Sequence, residues 1–128
     1  MTTAERDAPA ADSLTAVHWV GVVAALVSAV AHLRLGVGMF PSGLGISFLL
    51  AGAGFLGGVA LVVVGRYRRS VYAIGVPFTL VQVGAWYWVN FAAGPKSFPA
   101  DVGTLGAVDK VAQFVLLGVL ALLLGGDR

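Results

Sequence analysis

Four long runs of apolar residues dominate the pattern of this chain. They cover about residues 14–33, 44–64, 71–91 and 107–124. Each run has about 18–21 residues, enough for an α-helix rising about 1.5 Å per residue to cross a hydrocarbon core of about 30 Å. In the strands of a membrane β-barrel, apolar and polar residues alternate. They do not alternate within these runs. The pattern predicts an all-α integral membrane protein with four transmembrane helices.

The segments between the runs are short or rich in glycine and proline. Short connections favour antiparallel neighbours, so we expect an antiparallel four-helix bundle. Residues 14–125 then form the transmembrane domain. Residues 1–13, which are small and polar, are expected to be a disordered N-terminal tail, and residues 126–128 a C-terminal tail.

Composition supports lipid as the main surrounding of the chain. Hydrophobic residues make up 59% of the sequence and charged residues 11%, whereas soluble domains carry about 25% charged residues. Because small domains bury only part of their apolar surface, a soluble chain of this length could not hide so much of it. The lipid bilayer is therefore the predicted partner. Without cysteine, the chain has no disulfides or thiolate metal sites.

The positions of the basic residues predict the orientation. Arg66, Arg68 and Arg69 lie in one short turn, and together with Arg6 and Arg128 they place most of the cations on the side of both termini. Following the positive-inside rule, both termini are predicted to face the cytoplasm, with the protein in the cytoplasmic membrane. Cations confined to a turn do not form a basic binding face, so nucleic acid is not an expected partner.

Uncommon polar residues collect towards one end of the predicted bundle, in the first, third and fourth helices. The candidate polar site consists of His32, Arg34, Gln82, Asn90, Asp109, Lys110 and Gln113. Ionisable groups at membrane depth are costly, which makes such a cluster a site hypothesis.

A structural interpretation of the same residues is favoured. Arg34 and Asp109 are expected to form an ion pair between helices. The charged residues lie near the ends of the runs, where lysine and arginine side chains can extend to the interface. Gln82 and Gln113 lie deeper and need hydrogen-bond partners inside the bundle.

Two histidines support an alternative interpretation, in which the chain binds a redox cofactor. His18 and His32 share one face of the first helix, about 21 Å apart along its axis at about 1.5 Å per residue. This spacing is similar to that of helices carrying paired histidines in di-haem cytochrome b proteins. A module binding b-type haem or quinone would need a symmetric dimer to supply the second pair of ligands. No metal site is predicted, and the cofactor stays unknown.

Small residues indicate where helices pack. Gly54 and Gly58 form a GxxxG pair in the second run, and small residues let helix backbones approach closely in lipid. They are expected to form a packing seam of the bundle. The alternative is that a stripe of small residues forms a homodimer contact, or a contact within a larger membrane complex.

Several local motifs follow one another in a suggestive order. They are His32-Leu33-Arg34-Leu35-Gly36, the glycine-rich segment 50–58, Pro77-Phe78-Thr79 with Gln82 and Asn90, and Asp109-Lys110 with Gln113. In this order, over about residues 16–124, the chain resembles uncharacterised four-span membrane proteins encoded by halophilic archaea. The resemblance implies a membrane location and an archaeal source, and it implies no activity, cofactor or catalytic residue.

The sequence predicts a small multi-pass membrane protein that is not an enzyme and serves as an accessory or assembly subunit. The first alternative is the redox module using His18 and His32. The second is a small transporter using the outer polar cluster.

Overall fold

A computed structural model describes residues 13–92 and 103–126 of the chain. Four α-helices make up most of this part, namely α1 (Ala16–Met39), α2 (Gly43–Val63), α3 (Arg68–Tyr87) and α4 (Thr104–Gly126), with a short π-helix, Trp88–Ala92, directly after α3. The described part is therefore all-helical. The tails predicted at residues 1–13 and 126–128 lie outside the described residues, except for Ser13 and Gly126.

The first, third and fourth helices extend beyond the predicted runs at one end or both. Helix α1 continues past Leu33 to Met39, because Gly36 and Gly38 do not interrupt it. Gly36 is buried, and a Cβ there would lie 2.8 Å from the Cγ atom of Leu49 in α2. Glycine at this position therefore lets α1 and α2 approach closely while the helix continues.

The turn between α2 and α3 ends sooner than predicted. Gly65 and Tyr67 adopt left-handed backbone conformations, with φ of 77° and 58°, which reverse the chain within a few residues. Arg68 and Arg69 then belong to the first turn of α3 rather than to the loop. The Arg68 Nε–H donates to the Val62 carbonyl at 2.8 Å, which also accepts from the Gly65 backbone N–H at 3.1 Å, so the side chain adds a second bond at the end of α2.

Contacts around α1 show that its neighbours run in the opposite direction. Towards α2, Gly52 faces Leu33, with a Cβ at Gly52 lying 2.7 Å from the Leu33 side chain. Towards α4, Gly21 faces Val119, whereas Ser28 bonds to Asp109. Higher numbers on α1 thus meet lower numbers on α4, as antiparallel packing requires.

Helix α3 packs against α4 and, more loosely, against α2. Gly75 faces Leu120 and Gln82 bonds to Gln113, so α3 and α4 are also antiparallel. Against α2, Gly54 faces Phe78, and a Cβ at Gly54 would lie 2.7 Å from the Phe78 Cζ atom.

Helices α1, α2 and α4 are long and apolar enough to cross a membrane. Their outer faces carry apolar side chains, such as Val30 at 61% exposure and Leu50 at 69%. Within the described residues, α3 does not meet the same criterion, since it starts with two arginines and contains polar residues such as Gln82. The structure gives three candidate spans where the sequence predicts four, and three such helices suggest membrane association.

Candidate functional site

Polar side chains from three helices meet in the interior at one end of the helical assembly. Ser28, His32, Asp109, Lys110 and Gln113 are buried, and the half-buried Gln82 joins them from α3. We call these six residues the polar network. In an apolar interior each of its donors and acceptors must find a partner, because an unsatisfied buried polar group costs about 1–3 kcal/mol.

A charge pair lies at the centre of the polar network. The Lys110 Nζ lies 3.0 Å from the Asp109 Oδ2 atom, and both residues are less than 5% exposed. The Lys110 ammonium also donates to the Gln113 Oε1 atom and lies 5.6 Å from the centre of the Trp86 ring. The ammonium therefore contacts a carboxylate, an amide oxygen and an aromatic face, which together replace water.

The amide of Gln113 connects all three helices. Its Nε2 donates to the Gln82 Oε1 atom at 2.9 Å and to the Ser28 Oγ atom at 3.3 Å, while its Oε1 accepts from Lys110. The Gln82 Nε2 in turn donates to the Phe78 carbonyl at 3.1 Å. Both hydrogens of the fully buried Gln113 amide are used, which fixes the orientation of the group.

Ser28 and His32 complete the polar network from α1. The Ser28 hydroxyl donates to the Asp109 Oδ1 atom at 2.6 Å. The His32 Nδ1 lies 2.8 Å from the Ser28 carbonyl oxygen, which can only accept, so Nδ1 carries a hydrogen and donates it. The same atom is 3.6 Å from the Asp109 Oδ1 atom, and the ring packs against Phe48 and Phe55.

The polar groups of the network pair with one another. The charges of Asp109 and Lys110 offset one another, and the hydrogen bonds of the network join α1, α3 and α4. Such a network can fix the register of three helices, because sliding one helix by a turn would leave charged groups unpaired. The Ser28 hydroxyl also lies 3.4 Å from the His32 Nδ1 atom, and no group of three metal-ligating residues occurs within 13–92 and 103–126.

Five of the seven residues of the candidate polar site lie in the polar network, and the other two are placed elsewhere. The Arg34 side chain is exposed on α1, so the expected Arg34–Asp109 ion pair is wrong. Asp109 pairs with Lys110 instead. The Asn90 Nδ2 donates to the Trp86 carbonyl at 2.9 Å within its own helical segment.

The depth of the charge pair also differs from the prediction that such residues extend to the interface. Helix α4 begins at Thr104 rather than near residue 107, which moves Asp109 and Lys110 more than one turn into the helix. The Lys110 side chain is 4% exposed and does not extend outwards. Its partners lie inside, so the interior position is electrostatically compensated.

A cavity of about 320 Å³ occupies the other end of the helical assembly. All four helices line it, with mostly apolar side chains that include Val22, Phe55 and Leu116. Gly54 and the exposed Ile74 also belong to the lining. The cavity therefore reaches the surface between α2 and α3.

The two histidines predicted to act together lie at opposite ends of α1. His18 lines the cavity, and its Nδ1 accepts from the Thr15 backbone N–H at 3.0 Å. His32 belongs to the polar network. Each Nδ1 atom makes a local hydrogen bond, so the structure gives both rings a role in helix α1 itself.

Three residues matter more in the structure than their sequence context suggests. The sequence context of Ser28 indicates a small packing residue, but its hydroxyl group hydrogen-bonds to Asp109 and Gln113. Trp86 resembles an interfacial anchor, yet Lys110 lies over its ring. Thr79 is fully buried beside the cavity. The four-residue spacing between Ser28 and His32 is the one sequence signal that could have identified Ser28.

The chain belongs to a family of unknown function (DUF7475), whose family model matches residues 3–124. Comparisons with curated proteins and with solved structures find no match. The family carries no assigned activity, so any function has to be argued from the polar network and the cavity.

Proposed function

We propose that the protein is a four-span integral membrane protein that is not an enzyme and works as an accessory or assembly subunit of a membrane complex. Both termini face the cytoplasm in this proposal, and the family resemblance to proteins of halophilic archaea is part of it. The single observation that carries the functional part is the closed polar network. Its charged groups and amides are paired with one another, so they hold helices together rather than present a reactive group to a substrate.

The distribution of polar residues on α3 supports a fourth span. Thr79 is buried and Gln82 bonds inwards to Gln113, whereas Leu80 and Val81 are 50% and 70% exposed. A helix whose polar side chains are paired inside a bundle can cross a membrane even where its mean hydropathy is modest. From Arg68 to Ala92, the helical segment is also longer than the roughly 20 residues that a span needs.

A comparison of complex formation with charge removal tests the accessory role. The natural protein, Asp109→Asn and the double variant Asp109→Asn/Lys110→Met would each be purified from native membranes in mild detergent and sized by native electrophoresis. We expect the natural protein and the double variant to migrate within the same larger complex, because the double variant leaves no buried charge unpaired.

Two results would contradict the proposal. If the natural protein migrates without any partner protein, the accessory role is wrong. If the double variant is folded and stable but loses its partners or a co-purifying small molecule, the charges serve a pathway or ligand rather than the fold. The latter result would favour the transporter alternative.

A further inference from the structure

Two features of different chemistry lie at the end where α2 is joined to α3. One is the apolar cavity, whose wall includes Leu61 near the end of α2 and Tyr72 near the start of α3. The other is the arginine cluster, which we define as Arg66, Arg68 and Arg69. An apolar volume beside a group of cations matches a molecule with a hydrocarbon chain and an anionic head.

Two hydrogen bonds hold the arginine cluster beside the cavity. The Arg68 Nε–H donates to the Val62 carbonyl at 2.8 Å, and the Arg66 backbone N–H donates to the Leu61 carbonyl at 2.9 Å. Both acceptors belong to residues that line the cavity. The Arg68 side chain is therefore anchored in the fold, whereas Arg66 and Arg69 are exposed. These two exposed arginines can contact a charged group at the surface.

The arginine cluster gives this end a net positive charge within the described residues. Asp109 is the only acidic residue within 13–92 and 103–126, and it pairs with Lys110 in the polar network at the other end. The proposed topology places the arginine cluster at the cytoplasmic surface of the membrane, where the phosphates of anionic lipids lie. Each basic residue at that surface favours an anionic lipid by about fivefold.

The cavity opens towards lipid between α2 and α3. Gly54 and Ile74 belong to its lining and are exposed, Ile74 by 66%. The two helices pack loosely here, since even a Cβ at Gly58 would lie 3.6 Å from the nearest atom, in Val71. The volume of about 320 Å³ is roughly twice that of a cavity of about 150 Å³ that takes up benzene. It therefore holds part of one hydrocarbon chain and not a whole lipid.

The chemistry of the two features favours a lipid over other occupants. The N-terminal tail carries Glu5, Asp7 and Asp12, but its polar residues do not suit an apolar cavity. A second copy of the chain matches the apolar groove, but the one carboxylate of its described residues, Asp109, is buried in the polar network. A phospholipid supplies both the chain and the anion in one molecule.

We propose that the cavity and the arginine cluster together bind one anionic phospholipid of the cytoplasmic leaflet. Part of one of its hydrocarbon chains lies in the cavity, and its phosphate contacts Arg66 and Arg69. Because lipid tails are as apolar as the cavity wall, the tail fixes the position of the lipid, and the arginines supply the preference for an anionic head. This inference rests on the membrane placement proposed above and not on the accessory role.

Two lipids with the same chains and different heads test the site. They are palmitoyl-oleoyl phosphatidylglycerol (POPG), which is anionic, and palmitoyl-oleoyl phosphatidylcholine (POPC), which has no net charge. Glycerol 1-phosphate serves as a head without a chain. The whole protein is freed of lipid in dodecyl maltoside, an uncharged detergent, and titrated with each probe. Native mass spectrometry counts the lipids and the protein copies in each complex.

NMR of ¹³C-labelled methyl groups locates the bound chain. Val62 and Val71 line the cavity, whereas Val23 and Val30 lie on the outer face of α1 with 57% and 61% exposure. Shifts confined to Val62 and Val71 therefore report a chain in the cavity rather than lipid around the protein.

Two sets of variants separate the head from the chain. Arg66→Gln and the double variant Arg66→Gln/Arg69→Gln remove exposed charges, and Arg34→Gln is their matched control, because Arg34 is an exposed arginine at the other end of the helical assembly. Gly58→Leu adds a side chain to the cavity wall. Gly57→Leu is its control, because Gly57 is exposed, lies outside the lining and has no atom within 4 Å of a built Cβ.

We expect the natural protein to bind one POPG more tightly than POPC, and to bind glycerol 1-phosphate more weakly than POPG. Arg66→Gln should lower the POPG affinity about fivefold and the double variant about 25-fold, whereas Arg34→Gln should change it less than about twofold. Gly58→Leu should abolish the shifts that POPG causes at Val62 and Val71, and Gly57→Leu should preserve them.

Other results would overturn the inference. If POPG and POPC bind equally, the arginine cluster does not select an anion. If POPG shifts no cavity signal, or if Gly58→Leu leaves its binding intact, the chain lies elsewhere. If POPG binds only after Glu5→Gln and Asp7→Asn, the N-terminal tail covers the arginines in the natural protein. A dimer that POPG does not displace and that Gly58→Leu dissociates would show that a second copy fills the groove.

A separate measurement keeps the lipid site distinct from the membrane placement. The natural protein, reconstituted into POPC liposomes, should remain with the vesicles after alkaline extraction. If it is extracted, the membrane placement is wrong and the lipid site is wrong as well. If it remains and shows no preference for POPG, the lipid site alone is wrong.

Discussion

Removing one charge of the Asp109–Lys110 pair should destabilise the protein more than removing both. Asp109→Asn leaves the Lys110 ammonium buried beside neutral groups, namely the new amide, the Gln113 oxygen and the Trp86 ring. Lys110→Met leaves the Asp109 carboxylate with the Ser28 hydroxyl as its closest donor. Each single variant therefore creates an unpaired buried charge.

The burial and contacts of the pair set the expected magnitudes. Breaking a buried ion pair on one side costs about 3–5 kcal/mol, whereas replacing both partners by uncharged side chains of similar volume is often neutral. The double variant still loses the donor to Gln113, which costs about 1–3 kcal/mol. We therefore expect each single variant to lose about 3–5 kcal/mol of unfolding free energy and the double variant to lose less than either.

The assay is unfolding of purified protein in one detergent, by steric trapping or by thermal denaturation, with all three variants compared with the natural protein. Arg34→Met is the control, because Arg34 is an exposed cation near the same end of α1, and its loss should change stability by less than about 0.5 kcal/mol. If the double variant is as unstable as the summed single variants, the charges do not stabilise each other and the description of the polar network is wrong.

Two further predictions concern the polar network and helix packing. Gln113→Leu should destabilise the protein more than Gln82→Leu in the same unfolding assay, because Gln113 bonds to three side chains. Gln82 shares a single bond between helices, worth about 0.6 kcal/mol on average in membranes. Equal losses of stability in the two variants would contradict this ranking. Gly45→Ala should cost roughly 1–3 kcal/mol, because its Cβ would lie 2.6 Å from the Met39 backbone. Gly57 has open space around it, so Gly57→Ala should instead be neutral or stabilising by roughly 0.5–1 kcal/mol. The same thermal assay compares the two glycine variants. A destabilised Gly57→Ala variant would contradict the packing described.

The four helices were predictable from the sequence because each has a long apolar run. Their ends were harder to place. Gly36 and Gly38 have the composition of a loop, yet α1 continues through both. Close packing of Gly36 on α2 compensates for the weak helix preference of glycine there, whereas Gly38 lies in open space. The start of α4 at Thr104 is hidden by the glycines around it.

The antiparallel topology predicts that Gln82, Asp109 and Gln113 meet near one end of the bundle. It does not predict which residues they bond to. Neighbouring residues on a helix point in different directions, so the sequence predicts a partner for Asp109 on another helix rather than at Lys110. The long lysine side chain can fold back to its neighbour, which sequence spacing does not show. The cavity depends on the distances between helices, and no local pattern encodes those.

The central claim is that four helices cross the membrane, and α3 is the helix that does not count as a candidate span by hydropathy within the described residues. Since the chain has no cysteine, single cysteines at Gly38, Arg66 and Thr104 can be labelled in intact cells with a maleimide that does not cross membranes. All three positions are exposed. We expect Gly38→Cys and Thr104→Cys to react from outside, and Arg66→Cys to react only after the membrane is disrupted. Labelling of Arg66→Cys and Thr104→Cys from the same side would show that α3 does not cross and would contradict the four-span account.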